Sequence, residues 1–130
     1  MRILIAEDSP VNRELLRELL EMRGHEVLEA VNGQEALDMI AQGRPDLLIL
    51  DIGMPVLDGF GVIAKVRADP RLMSLPVLAA TAYAMRGDRD KVLQAGFDGY
   101  VSKPIDSRAL TQEIDRLTGP MKAGDADTAV

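Results

Sequence analysis

Five side chains in this sequence have the types and spacing to do chemistry together. In "DLLILDIGMP" (46–55) the apolar run Leu47–Leu50 ends on the carboxylate of Asp51, and Gly53 and Pro55 then break the chain. Ending a buried run on an acid is costly unless the acid is solvated, paired or used. Glu7 and Asp8 follow the apolar run "RILIA" (2–6), Thr81 closes "PVLAAT" (76–81), and Lys103 follows "GYVS" (99–102). Singly, each has an ordinary explanation. Asp8 suits the positive end of the next helix, Thr81 is a common strand residue, and Lys103 a surface charge. Gathered at one rim they mean more. Three clustered carboxylates repel unless a cation joins them. Oxygen ligands without His or Cys select Mg2+, with Mn2+ as a substitute. Such a site could let Asp51 attack phosphorus in line, while Thr81 and Lys103 bind the remaining phosphoryl oxygens.

Whether they gather depends on the elements that carry them. Two periodicities alternate along the chain. Short apolar runs at 2–6, 25–30, 46–50, 76–81 and 99–102 predict strands. Amphipathic segments at 9–24, 32–43, 59–70, 85–96 and 107–119 predict helices. Ser9 and Pro10 open the first helix, and Gly24 and Gly43 stop the first and second. Gly61 and Gly87 sit inside the third and fourth, and the fourth carries the weaker pattern. Alternation of this kind predicts βαβ units and a parallel sheet covered on both faces. Continuous rather than alternating apolar runs agree with that burial. Sites in such sheets lie beyond the carboxyl ends of the strands, where all five side chains fall.

Composition narrows the function. At 130 residues and 47% hydrophobic, the chain predicts one folded domain. A net charge of −6 argues against a nucleic-acid surface. No apolar run is long enough for a membrane span, and no signal peptide is evident. Without cysteine there are no disulfides or thiolate sites, which fits a cytoplasmic location. His25, the one histidine, stands between Gly24 and Glu26 and reads as an exposed turn residue. No P-loop or dinucleotide glycine motif is present.

The segments "AEDSPVNRELL", "DLLILDIGMPVLDG", "PVLAATAYA" and "GFDGYVSKPI" resemble the receiver domain of two-component response regulators over about residues 2–118. The block "TAYAMRGDRDKVLQAGFDGYVSKPID" is most similar to single-domain cell-cycle regulators and to receivers of hybrid histidine kinases. The resemblance implies a flavodoxin-like (βα)5 fold, a five-stranded parallel sheet of order 2-1-3-4-5, here spanning 1–118 with 119–130 as a flexible tail. It implies Asp51 as phosphoacceptor, with Thr81 and Lys103 assisting. It implies Mg2+ held by Glu7, Asp8, Asp51 and the carbonyl of Gly53, with the longer Glu7 suited to contact through water. Thr81 and Tyr100 become the switch pair, and the Lys103-Pro104 bond becomes cis. Gly53 and Tyr83 occupy the positions that tune phosphoryl lifetime, one offering no shield and the other a bulky one.

The implied function is a phosphorylated signalling switch, not an enzyme in the ordinary sense. A sensor histidine kinase or His-phosphotransfer protein supplies the phosphoryl group, and an effector protein reads the result. Neither nucleic acid nor membrane is involved. A monomer is expected, with phosphorylation-dependent dimerisation as an option. Met1 immediately before the first strand favours a free-standing protein over a receiver cut from a hybrid kinase. A haloacid-dehalogenase-type phosphatase would want an acid at Gly53, and a pseudo-receiver used only for docking would normally have lost one of the site residues. The first helix is a docking element through Leu15, Leu16, Leu19, Leu20 and Met22, or else those side chains all pack inward.

Overall fold

A computed structural model describes residues 1–54, 56–81 and 88–118. Tyr83, Gly87, the start of the expected fourth helix and the tail at 119–130 lie outside the described residues. Strands β1 (Arg2–Ala6), β2 (Glu26–Ala30), β3 (Leu47–Asp51), β4 (Val77–Thr81) and β5 (Gly99–Ser102) alternate with helices α1 (Pro10–Glu21), α2 (Gly33–Gln42), α3 (Gly59–Ala68), α4 (Asp88–Ala95) and α5 (Ser107–Thr118). All pairings are parallel and the order is β2-β1-β3-β4-β5, so the expected topology is the observed one.

The unalternating strands have a direct cause: both faces of the sheet are covered. Ile3, Ile5, Leu47, Ile49, Leu78, Ala80 and Val101 pack on Leu16 and Leu20 of α1 and on Leu110 and Ile114 of α5. On the other face Leu4, Leu48, Leu50, Val77 and Ala79 meet α2, α3 and α4 through Ile40, Val62, Ile63, Val66 and Val92. Every residue of β3 and β4 is buried.

Local chemistry sets the helix ends. The Ser9 hydroxyl accepts from Asn12 N–H at 3.4 Å, and Pro10 begins α1 where no N–H is needed. Asn32 Oδ1 accepts from Glu35 N–H at 2.8 Å, while Glu35 accepts from Val31 N–H at 2.9 Å. Asp58 Oδ1 accepts from Gly61 N–H at 2.9 Å and opens α3. The expected helix 59–70 stops at Ala68. Asp69 turns extended, and Pro70 starts a separate 3-10 turn through Leu72, because a residue before proline is driven out of the helical region. His25 is half-buried rather than exposed.

One side chain ties the loops at the amino-terminal end of the sheet. Arg67, on α3, donates to the carbonyls of Gly96, Leu72, Met73 and Leu75 at 2.9 to 3.2 Å, and to Asp98 Oδ2 at 2.7 Å. Asp98 Oδ2 also accepts from Val77 N–H at 2.8 Å. The planar guanidinium suits this many partners, and an ammonium does not.

Candidate functional site

The carboxyl ends of β1, β3, β4 and β5 converge because the strands are parallel and in register there. Ala6 stands opposite Leu50, Asp51 opposite Ala80, and Thr81 opposite Ser102. Asp51 is the last residue of β3 rather than the first beyond it, and its place in the ladder fixes its carboxylate at the rim. Glu7 N–H donates to Ala30 O at 3.1 Å, and Lys103 N–H donates to Thr81 O at 2.8 Å. Those bonds carry the β1 and β5 exits to the same rim.

Carboxylate oxygens of Glu7, Asp8 and Asp51 lie within 4.8 Å of one another. Lys103 Nζ stands 2.8 Å from Glu7 Oε1 and 3.2 Å from Asp51 Oδ2. Gly53 N–H donates to Asp51 Oδ1 at 3.1 Å, and Ser9 N–H to Glu7 Oε2 at 3.1 Å. Glu7, Asp51 and Thr81 are buried, whereas Asp8 is exposed. Four of the five expected residues thus share direct contacts or one acidic cluster, and Thr81 sits beside them through its carbonyl link to Lys103. Tyr100 is apart from the cluster, opposite Ala79 on the edge strand β5 and partly buried.

The electrostatics leave the cluster short of positive charge. Burial raises the pKa of Glu7 most. The Lys103 ammonium and Ser9 N–H pull it down, but the outcome remains above the ordinary carboxylate value. For Lys103, burial works against the charge, yet Glu7 and Asp51 outweigh it and its pKa goes up. Glu7 Oε1 is fully buried and, although close to Lys103 Nζ, lacks a donor aligned for a hydrogen bond. A buried carboxylate oxygen in that condition, within an all-oxygen acidic cluster, fits a hard divalent cation.

Some supports escaped the sequence. Arg13 Nη1 donates to Glu7 O at 3.0 Å, and Arg13 Nε to Glu29 Oε1 at 3.0 Å, which fixes the β1 exit against β2. Gly59 was legible only as a glycine at a helix start. A Cβ there would lie 2.8 Å from Ile52 Cα and 3.1 Å from Asp51 O. The first turn of α3 therefore rests on the backbone that carries Asp51. The Lys103-Pro104 bond is cis, as the resemblance implied.

The family model of the response regulator receiver domain matches residues 3–115. The chain belongs to that family. Among curated relatives, this receiver is 38% identical over 117 residues to the polar-differentiation response regulator DivK of Brucella anthropi, covering 90% of this chain and 95% of DivK. Among solved structures it is similar to the receiver domain of a signal transduction histidine kinase from Syntrophus aciditrophicus, at 34% identity and TM-score 0.82, covering 90% of this chain and 89% of that one. It is likewise similar to the receiver domain of a sensor histidine kinase from Pseudomonas aeruginosa, at 33% identity and TM-score 0.83, covering 90% and 96%. That last structure has a magnesium ion coordinated in its active site cleft.

Proposed function

We propose that this receiver accepts a phosphoryl group on Asp51 from a phosphohistidine of another protein and thereby changes a protein-binding face. One observation carries the reading. The Asp51 carboxylate lies at the sheet rim, 3.2 Å from the Lys103 ammonium and in one cluster with Glu7 and Asp8. Glu7, Asp8, Asp51 and the Gly53 carbonyl would hold Mg2+, or Mn2+ in its place. Bound there, the ion would neutralise charge on the phosphoryl oxygens.

The remaining chemistry belongs to this chain's own groups. An Asp51 oxygen forms the new O–P bond as the N–P bond to the donor imidazole breaks, and the imidazole nitrogen keeps the electron pair. Gly53 N–H orients the Asp51 carboxylate through Oδ1. Lys103 stays protonated, since its pKa is raised, and offers an ammonium to the phosphoryl oxygens. The donor histidine is another protein's. His25 precedes β2 at the amino-terminal end of the sheet, while Asp51 ends β3 at the other.

A sensor histidine kinase or His-phosphotransfer protein is the donor in this reading. The exposed side chains of α1 and its C-cap support a docking role, with Val11, Leu15 and the C-cap Met22 exposed while Leu16 and Leu20 are buried. Thr81 then draws toward the phosphoryl oxygens and Tyr100 turns inward, altering the face of α4, β5 and α5 for an effector. No helix among the described residues is long and apolar enough to cross a membrane, and a cytoplasmic location is part of the same reading. The test is incubation with Mg2+ and acetyl phosphate or a phosphoramidate, followed by mass spectrometry of the adduct. Label on Asp51 is expected. Label on another residue, or none under conditions that label a known receiver, refutes the assignment.

A further inference from the structure

The end of the sheet opposite the acidic rim carries a groove that phosphoryl transfer leaves unused. Each helix runs back along the sheet from the carboxyl end of its strand, so the last turns of α2 and α3 lie together at the far end. Between them and the 3-10 turn is a cavity of about 370 Å3, floored by Leu37, Ile40 and Leu72. That size is in the range of sites that take organic ligands or side chains. Met73, 64% exposed, adds apolar surface beside Leu72.

The rim of this groove opposes the charge of the chain. Arg44, Lys65 and Arg71 line it, with Asp69 the one carboxylate among the lining residues, in a protein of net charge −6. Asp69 is already engaged, accepting from Arg71 at 3.2 and 3.0 Å. Among the described residues Arg44 donates only to the carbonyl of its neighbour Pro45, at 3.3 Å. Lys65 is exposed and has no hydrogen-bond or ion-pair partner among the described residues. Nor are these cations needed to satisfy the carbonyls beyond α3, because Arg67 serves those of Leu72, Met73 and Leu75.

We propose that the α2–α3 groove docks an acidic, leucine-bearing segment of a partner protein. Its apolar side chains occupy the floor over Ile40 and Leu72, and its carboxylates meet Arg44 and Lys65. Nucleic acid matches less well, since the floor is apolar and the rest of the chain repels a polyphosphate backbone. The groove lies at the end of the sheet away from Asp51, so the inference stands apart from the phosphoryl reading, and a partner bound here leaves the acidic rim open.

The experiment is amide chemical-shift mapping of the unphosphorylated protein with a short synthetic amphipathic peptide of Glu, Asp and Leu. Saturable shifts at 37–44 and 65–72 are expected, weakened by added salt. An Arg44→Gln, Lys65→Gln variant should bind roughly tenfold more weakly, two exposed ion pairs having been removed. Among the described residues neither side chain makes a tertiary hydrogen bond or ion pair, so the rest of the variant's spectrum should be unchanged. Absent shifts, shifts centred on another surface, or unchanged binding by the variant overturn the proposal. So do equal shifts from a peptide with Lys in place of the acids, or shifts from inorganic tripolyphosphate where the acidic peptide gives none.

Discussion

Replacing Glu7 with Gln should stabilise the metal-free protein at neutral pH, which is the reverse of what removing a salt-bridge partner usually does. The sign follows from the pKa. Burial, acting against the Lys103 ion pair and the Ser9 N–H, holds the folded-state pKa of Glu7 above its ordinary value. A carboxyl with a raised folded pKa contributes stability below its unfolded pKa and loses that contribution as pH rises through the folded one. Wild type should therefore lose stability on going from mildly acidic to neutral pH, and Glu7→Gln should lose less. Gln keeps an oxygen for Ser9 N–H, and Lys103 keeps Asp51 at 3.2 Å. Magnesium should restore the wild type. At ten times its dissociation constant, an ion that binds only the folded state adds ~1.4 kcal/mol. With an unfolding entropy of about 2.1 cal/mol/K per residue over roughly 118 residues, that is a rise in Tm of ~6 °C. Glu7→Gln should show less than about half of this rise at the same ion concentration, having lost one carboxylate. Thermal melts at matched ionic strength, with and without MgCl2, measure both effects. A Glu7→Gln protein that melts below wild type without metal, or a wild-type rise reproduced by NaCl alone, would refute the reasoning.

Other perturbations probe the frame and the relay. A Cβ at Gly33 would overlap Leu57 O and lie 2.7 Å from Val62 Cγ2, so Gly33→Ala should lower stability by about 1–3 kcal/mol in urea titrations at unchanged m-value. Arg67→Ala removes bonds to four carbonyls and Asp98 and should destabilise by about 2–4 kcal/mol, with Arg67→Lys recovering little of it; recovery to wild-type midpoints by Lys would contradict the role given to the guanidinium. Thr81→Ala should still be labelled on Asp51 yet lose most of the phosphorylation-dependent amide shifts over β5 and α5. A full wild-type shift pattern in that variant would mean the signal leaves the site by another route.

Asp51 shows how far the sequence could be read. The apolar run before it and the glycine two residues on pointed to a strand end and a candidate site, because covering a parallel sheet on both faces requires continuous apolar strands. The same logic located Glu7, Asp8, Thr81 and Lys103, since each follows or closes such a run. Strand order was different. Periodicity cannot distinguish one right-handed crossover order from another, and the order came from family resemblance. Arg67 was illegible because most of its partners are backbone carbonyls, which no residue type advertises. Gly59 and Gly33 carried no signal beyond their place at helix starts, and the approach of Ile52 and Leu57 explains them. For α1, the apolar set could not be divided by pattern alone. Leu16 and Leu20 turned inward, while Leu15 and Met22 stayed exposed.

The ion pair between Lys103 and Glu7 also bears on how the chain acquires its site. Glu7 leaves β1 and Lys103 leaves β5, strands that are separated in the sheet by β3 and β4. All three acids are therefore synthesised, and β1 and β3 can pair, before the ammonium exists to separate their charges. A nascent chain ending short of β5 holds Glu7, Asp8 and Asp51 with no Lys103 between them, and closing the rim at that stage brings like charges together. Docking of the last strand closes the longest loop in the site and supplies its counter-charge in one event. On the function proposed above, competence to hold the ion and the phosphoryl group requires β5 in place, and an incomplete chain is not a partial switch.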